Sequence, residues 1–227
     1  LGWTIRTLIF AKSQRGNATV EKLAARTVAA GATVLEVNEK VLGAITRRDN
    51  PQMVLGVFEQ RWARLRDIRP ASGDLWLALD RVRDPGNLGT IIRTADAVGA
   101  RGVMLVGETT DPFSLETVRA TMGSIFAMPV VRATQDDFLS WSQASATCLV
   151  GTHLKGSVDY REPDYSKGPL VLVMGNEQQG LPETLAKACD VLIRIPQAGR
   201  ADSLNLAVAT GVALYEMRRH ALPAVGK

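Results

Sequence analysis

Asp84-Pro-Gly-Asn-Leu-Gly-Thr-Ile-Ile-Arg93 is a turn rich in Gly and Pro that runs straight into an apolar stretch. Three later segments share that design: Val173-Met-Gly-Asn-Glu-Gln-Gln-Gly180, Ile195-Pro-Gln-Ala-Gly199 and Ser203-Leu-Asn-Leu-Ala207. Between them they carry polar residues that would be awkward to bury without partners: Asn87, Arg93, Glu177, Ser203 and Asn205. Asn205 falls inside an otherwise apolar helical run, residues 204–215. A buried Asn is expected to be hydrogen-bonded, so something must meet it. The four turns read as a wrapping for one small ligand.

Outward from these turns, the pattern from residue 75 is regularly α/β. Strands are expected at 75–79, 102–106, 128–131, 147–151, 170–174 and 191–195. Helices are expected at 89–98, 114–121, 135–144, 182–188 and 203–219. The strands are continuous apolar runs, which indicates a mostly parallel sheet covered on both faces. Pattern rules alone give a doubly wound nucleotide-binding sheet. The G-x-G-x-x-G spacing is absent, however, and no Lys-Ser/Thr follows Gly89 as a P-loop requires.

Residues 1–60 alternate on a smaller scale: strand 7–11, helix 18–30, strand 33–37, helix 38–45, strand 53–59. Gly31 ends the first helix and Asn38 can cap the second. This is a small parallel or mixed α/β unit. Arg6, Lys12, Arg15, Lys40, Arg47 and Arg48 lie near its turns, as a solvated surface or an RNA-contact face. Residues 61–74 read as a basic linker, with Arg61, Arg64, Arg66 and Arg69 on a short helix or an open segment.

Composition sets the outer bounds. The 227 residues are 46% hydrophobic and 22% charged, ordinary for a globular protein. No apolar run reaches the ~18 residues of a membrane span. The net charge of +4 suits a polyanionic partner without demanding one. Cys148 and Cys189 have no second Cys or His at metal spacing, so they read as buried free thiols and no metal is expected.

Asn87-x-Gly89-x-x-x-Arg93, Gly175-x-Glu177-x-x-Gly180 and Ile195-Pro196…Ser203-Leu204-Asn205 resemble, in order, the three signature motifs of the SpoU-type (TrmH-like) RNA 2'-O-ribose methyltransferases of the SPOUT superfamily. The resemblance runs from about residue 75 to 220 and more weakly over 1–60. It implies a SPOUT-type α/β fold: a knotted (trefoil), mostly parallel sheet with helices on both faces. It also implies three segments: a small L30e-like RNA substrate-binding domain at 1–60, the linker 61–74, and the methyltransferase domain at 75–227. On that resemblance the first segment, which starts without Met, is expected to lack the opening helix of that domain.

The implied activity is transfer of a methyl group from S-adenosyl-L-methionine to a ribose 2'-hydroxyl of structured RNA. Ribosomal RNA is favoured over transfer RNA; a non-catalytic RNA-binding protein, a Rossmann-type nucleotide enzyme and a base-methylating relative are the competitors. Arg93, Asn87, Glu177 and Asn205 take the catalytic positions; Thr152, Gly175, Ile195, Pro196, Ser203 and Leu204 line the cofactor site. The resemblance further implies a cytoplasmic homodimer. Arginine is very hard to deprotonate, so phosphate clamping suits Arg93 better than a base role. Bland alternatives remain at this stage: Asn87 and Ser203 as helix caps, Glu177 in a helix's first turn, Arg93 in a surface ion pair.

Overall fold

The computed structural model describes residues 2–47, 50, 52–153 and 158–224. The chain forms two compact units, one up to Arg61 and one from Trp62 onward.

In the first unit, β1 (Ile5–Ala11) pairs in parallel with β2 (Thr33–Val37) and antiparallel with β3 (Val54–Phe58). Asn17 caps α1 (Ala18–Ala29) and Asn38 caps α2 (Glu39–Thr46), each through its side-chain oxygen. The core is small: Ile9, Ala11 and Leu42 at its centre. Two of the basic residues are spoken for within the unit, Arg6 by Glu59 and Arg15 by Glu36. Arg48, and Pro51 in the segment before β3, lie outside the described residues.

The second unit is built on seven strands: β4 (Leu75–Asp80), β5 (Val103–Val106), β6 (Val130–Ala133), β7 (Cys148–Thr152), β8 (Val158–Asp159), β9 (Leu170–Met174) and β10 (Val191–Arg194). Their order is β6-β5-β4-β9-β7-β10-β8, and neighbours pair in parallel. The two-residue β8 had no signal in the sequence.

Every residue of β4 is buried, and it feeds two cores by alternation. Leu75, Leu77 and Leu79 join Leu88, Ile91 and Ile92 of α3 (Pro85–Ala97) and Ala213 and Leu214 of α7 (Leu206–Met217). Trp76 and Ala78 join Phe138 and Trp141 of α5 (Gln135–Ala144) and Leu185 of α6 (Glu183–Ala188). The sheet is therefore covered on both faces, as the unbroken apolar runs required. Burying one such Leu contributes about 1.5–3 kcal/mol. The short α4 (Leu115–Ala120) packs beside α3: a Cβ on Gly89 would sit 2.5 Å from Ala120 Cβ.

Two helix starts differ from expectation by more than one residue, and side chains explain both. α3 begins at Pro85 because Asp84 Oδ1 accepts from Asn87 N at 2.5 Å and Pro suits a first turn. α7 begins at Leu206, with Asn205 as its cap. The stretch expected as a linker is no free segment from Trp62 onward. Ala63 N donates to Val130 O at 2.9 Å and bridges to Val131, covering the β6 edge. In place of a basic helix it holds a single 3-10 turn, Leu65–Asp67.

Candidate functional site

The strand order changes direction between β4 and β9. Chain order runs outward from β4 to β6 on one side, and β9, β7 and β10 fill the other. Open α/β sheets take ligands at the carboxyl ends of strands beside such a point. Here Thr152, Met174 and Ile193-Arg194 end β7, β9 and β10 around one cavity of about 520 Å³. Its walls continue into the loops that hold Gly175, Glu177, Ile195, Ser203 and Leu204.

The loop after β9 is fastened by backbone. Asn176 and Gly180 exchange N–H···O bonds of 3.1 and 2.9 Å. A Cβ on Gly175 would lie 2.1 Å from Leu181 N and 2.2 Å from Gly180 C, so only glycine fits. The close approach expected at Gly175 is thus made by its own loop. Asn176 Oδ1 accepts from Gln178 N and Gln179 N at 2.9 and 3.2 Å, and its Nδ2 donates to Arg81 O at 2.8 Å. Arg81 itself, at φ +48°, donates from Nη1 to Gln179 Oε1 at 3.0 Å. Its Nε also donates to buried Asp80 at 2.9 Å; burial raises that carboxyl's pKa and Arg81 opposes the rise. Neither Arg81 nor Asn176 was singled out from the sequence. A left-handed residue other than Gly carries no compositional signal.

The three motifs meet at the rim. Asn205 Nδ2 donates to Asn87 Oδ1 at 2.9 Å, and Asn87 Nδ2 makes a long contact of 3.5 Å to Glu177 Oε1. The Glu177 carboxylate also lies 3.4 Å from the backbone N–H groups of Arg83 and Asp84 at the mouth of α3. The Glu177 contacts are loose and the Asn205–Asn87 bond is of ordinary length; together they join segments 118 and 90 residues apart.

Several sequence expectations change here. Asn205 is exposed and does not sit inside the helix; its Oδ1 caps α7, accepting from Ala207 N and Val208 N at 2.9 and 3.3 Å. The helix cap is therefore Asn205, not Ser203, and Asp84, not Asn87. Glu177 stands in a turn, outside any helix. Thr152, Gly175, Glu177, Ile195, Ser203 and Leu204 line the cavity. Asn87, Arg93, Pro196 and Asn205 do not; Arg93 and Pro196 are exposed, and Arg93 makes no ion pair among the described residues. His153 lines the cavity and donates its backbone N–H to Ile193 O at 3.0 Å. Both cysteines are free and half-buried. Among the described residues no cluster of His, Cys, Asp and Glu could hold a metal ion, and no helix is long and apolar enough to cross a membrane.

The walls suit S-adenosylmethionine. The volume falls in the range of small-ligand sites. Met174, Leu181, Ile193, Ile195 and Leu206 give an apolar slot for a flat ring, with Thr152, Gln197 and Ser203 as polar ends. Glu177 and Asp202, against the single arginine Arg194, supply negative charge for a cationic donor.

Residues 74–215 match the SpoU rRNA Methylase family, and residues 1–56 match the MRM3-like substrate binding domain. The chain is 35% identical over 182 residues to the 23S rRNA (guanosine(2553)-2'-O)-methyltransferase RlmP of Bacillus subtilis, covering 80% of this chain and 71% of that one. It is 34% identical over 230 residues to the 23S rRNA (uridine(2479)-2'-O)-methyltransferase of Streptomyces viridochromogenes, covering 96% and 77%. The crystal structure of an AdoMet-bound rRNA methyltransferase from Sinorhizobium meliloti superposes with a TM-score of 0.93 at 65% identity, over 98% of this chain and 82% of that one. The family match spans most of the chain and contains every element around the cavity: this protein belongs to the SpoU rRNA methylase family.

Proposed function

We propose that this chain is an S-adenosylmethionine-dependent methyltransferase that modifies a ribose 2'-hydroxyl of ribosomal RNA. The observation that carries this reading is the hydrogen-bonded line Asn205–Asn87–Glu177, which ties three distant motifs together and ends, at Glu177, on the wall of one ligand-sized cavity. The relatives that act on 23S rRNA 2'-hydroxyls support the choice of RNA.

When bound, S-adenosylmethionine supplies an electrophilic methyl group on a positively charged sulfur. The protein's part is positioning, which can supply much of the rate. The apolar walls would hold the adenine ring, and Gly175 keeps the loop tight enough to shape them. Glu177 fixes the mouth of α3 against that loop, so that Asn87 and Arg93 face the RNA from one rigid helix. Arg93 serves as a forked clamp on the phosphate next to the reacting ribose. The first unit contributes RNA contacts through Lys12, Lys40 and Arg47, which make no ion pair among the described residues. The chain passes its C-terminal segment through the trefoil crossing that the family resemblance implies.

The active form is a homodimer. α7 leaves Val208 and Tyr215 more than half exposed, at 53% and 51%, with half-buried Val212 between them on one face. An apolar stripe of this kind is better satisfied by a second copy than by water. The ribosomal substrate proposed here and the two free thiols support a cytoplasmic location.

The test is twofold: titration calorimetry with S-adenosylmethionine, and mass-spectrometric mapping of ribose methylation in RNA from a strain lacking the protein. One ribosomal 2'-O-methyl group should vanish. No donor binding, or an unchanged methylation map, would sink the reading.

A further inference from the structure

Away from the cofactor cavity, a second cleft of about 1010 Å³ runs between the segment after Trp62, the end of β6 and the outer face of α5. Its lining holds four arginines, Arg64, Arg66, Arg69 and Arg132, against a single acid, Asp137. Two of the four are already engaged. Arg64 pairs with Asp67 at 2.5 Å, and Arg69 Nη1 donates to the carbonyls of Arg66 and Ile68 at 2.6 and 3.0 Å. Arg66 and Arg132 are exposed and have no carboxylate partner among the described residues.

Arg132 is nevertheless fixed. Its guanidinium lies over the Trp62 ring, 4.3 Å from the centroid, and Trp62 packs edge-on against Phe113 at 5.0 Å. Stacking covers one face of a guanidinium and leaves its N–H edge free for a forked acceptor. The other tryptophan, Trp141, is buried and its Nε1 points to Ile68 O at 3.4 Å. Both rings are thus occupied within the protein. That disfavours base stacking and leaves a wall of oriented positive charge.

We propose that this cleft grips the sugar–phosphate backbone of the RNA away from the reacting nucleotide, with Arg132 and Arg66 on phosphates. The proposal rests on the ribosomal-RNA reading above. Arg132 and Ala133 end β6 at the same carboxyl edge that carries the cofactor cavity. β9 is three strands from β6, or about 14 Å at the usual strand spacing. A structured RNA spans that distance readily, so one substrate can reach both places.

The test uses the whole chain and deproteinised total ribosomal RNA, with affinity measured across a salt series. Arg66→Gln/Arg132→Gln should weaken RNA binding roughly tenfold at low salt and reduce the log–log salt slope by about 1.4–1.8. Donor affinity by calorimetry should be unchanged, and the loss should fall on KM for RNA with kcat within about twofold. Arg66→Gln alone leaves the Trp62 stack intact and should reduce the slope by about 0.7–0.9, which separates phosphate contact from structural damage. Wild-type affinity and slope in both variants overturn the proposal. So does poly-L-glutamate binding that the double variant loses while RNA binding stays, since the cleft would then take an acidic protein. A wild-type chain that binds RNA with this salt dependence but never methylates it would instead defeat the catalytic reading alone.

Discussion

Asn205 Nδ2 donates to Asn87 Oδ1 at 2.9 Å, so the cap of the last helix holds the third residue of α3. The same Asn205 side chain performs two tasks, capping through its oxygen and linking through its nitrogen. Substitutions can separate them. Asn205→Ala should lose about 1 kcal/mol of stability with the cap and lose methyl transfer as well. Asn205→Asp keeps a capping oxygen and should hold the stability within a few tenths of a kcal/mol, yet lose most activity with the donor. Thermal unfolding and methyl incorporation measured together decide this; an active Asn205→Asp would show that the link does not matter.

Arg93 is exposed, so its removal should spare the fold. Arg93→Ala is expected to change stability by less than about 0.5 kcal/mol and to lower methyl transfer by about 100-fold. Arg93→Lys restores charge without the fork and should recover only part. Most of the activity surviving in Arg93→Ala on saturating RNA would remove it from the site.

Gly175 and Gly180 are needed for different reasons. A Cβ at 175 collides with backbone atoms 2.1 and 2.2 Å away, which cannot move aside independently. Gly175→Ala should lose about 1–3 kcal/mol and abolish the calorimetric heat of donor binding. At Gly180, φ is +68° but nothing lies within 4 Å of the new Cβ, so Ala costs about 1–2 kcal/mol of local strain. Gly180→Ala should therefore bind the donor weakly. Equal donor affinity in both variants would contradict the steric account.

If α7 forms the dimer, a charge in its exposed stripe must break it. Val208→Asp should convert a dimer to a monomer in sedimentation velocity without melting the fold, because Val208 is 53% exposed. A variant that sediments like the wild type would place the interface elsewhere.

Burial pushes the Cys189 thiol up to about 12, with the charges of Asp190 and Cys148 adding to the rise. Its ordinary value is 9.0. Between those limits the folded thiol keeps a proton that the unfolded one gives up, so folding stability should fall as pH rises from about 9 toward 12. At pH 8, Cys189 should resist alkylation in the folded protein and react promptly in urea. Fast labelling of the folded chain at Cys189 would refute the shift.

Much of the architecture could be read from the residues, and the failures have causes. Strand 170–174 and helix 135–144 were legible to the residue: the first is an unbroken apolar run after Gly168-Pro169, the second opens on Thr134, whose hydroxyl caps it. The start of α3 was placed four residues late because Gly86-Asn87 looked like loop, while Asp84 and Pro85 in fact cap and open the helix. Asn205 was read as buried because its neighbours are apolar; burial depends on what packs alongside, and that is set by distant chain. The same limit hid the Arg81–Asn176 bond, which spans 95 residues, and the insertion of β9 between β4 and β7.

That insertion bears on how the protein is made. β4 and then β7 emerge from synthesis before the strand that belongs between them, and they must stay apart until residue 174 arrives. A nascent chain that let them zip together would shut out its own central seam. Slow maturation is the expected result, with folding rates governed by late, long-range pairing. Substitutions that weaken β9 should slow refolding more than equally destabilising ones in β6, a comparison that stopped-flow fluorescence can make.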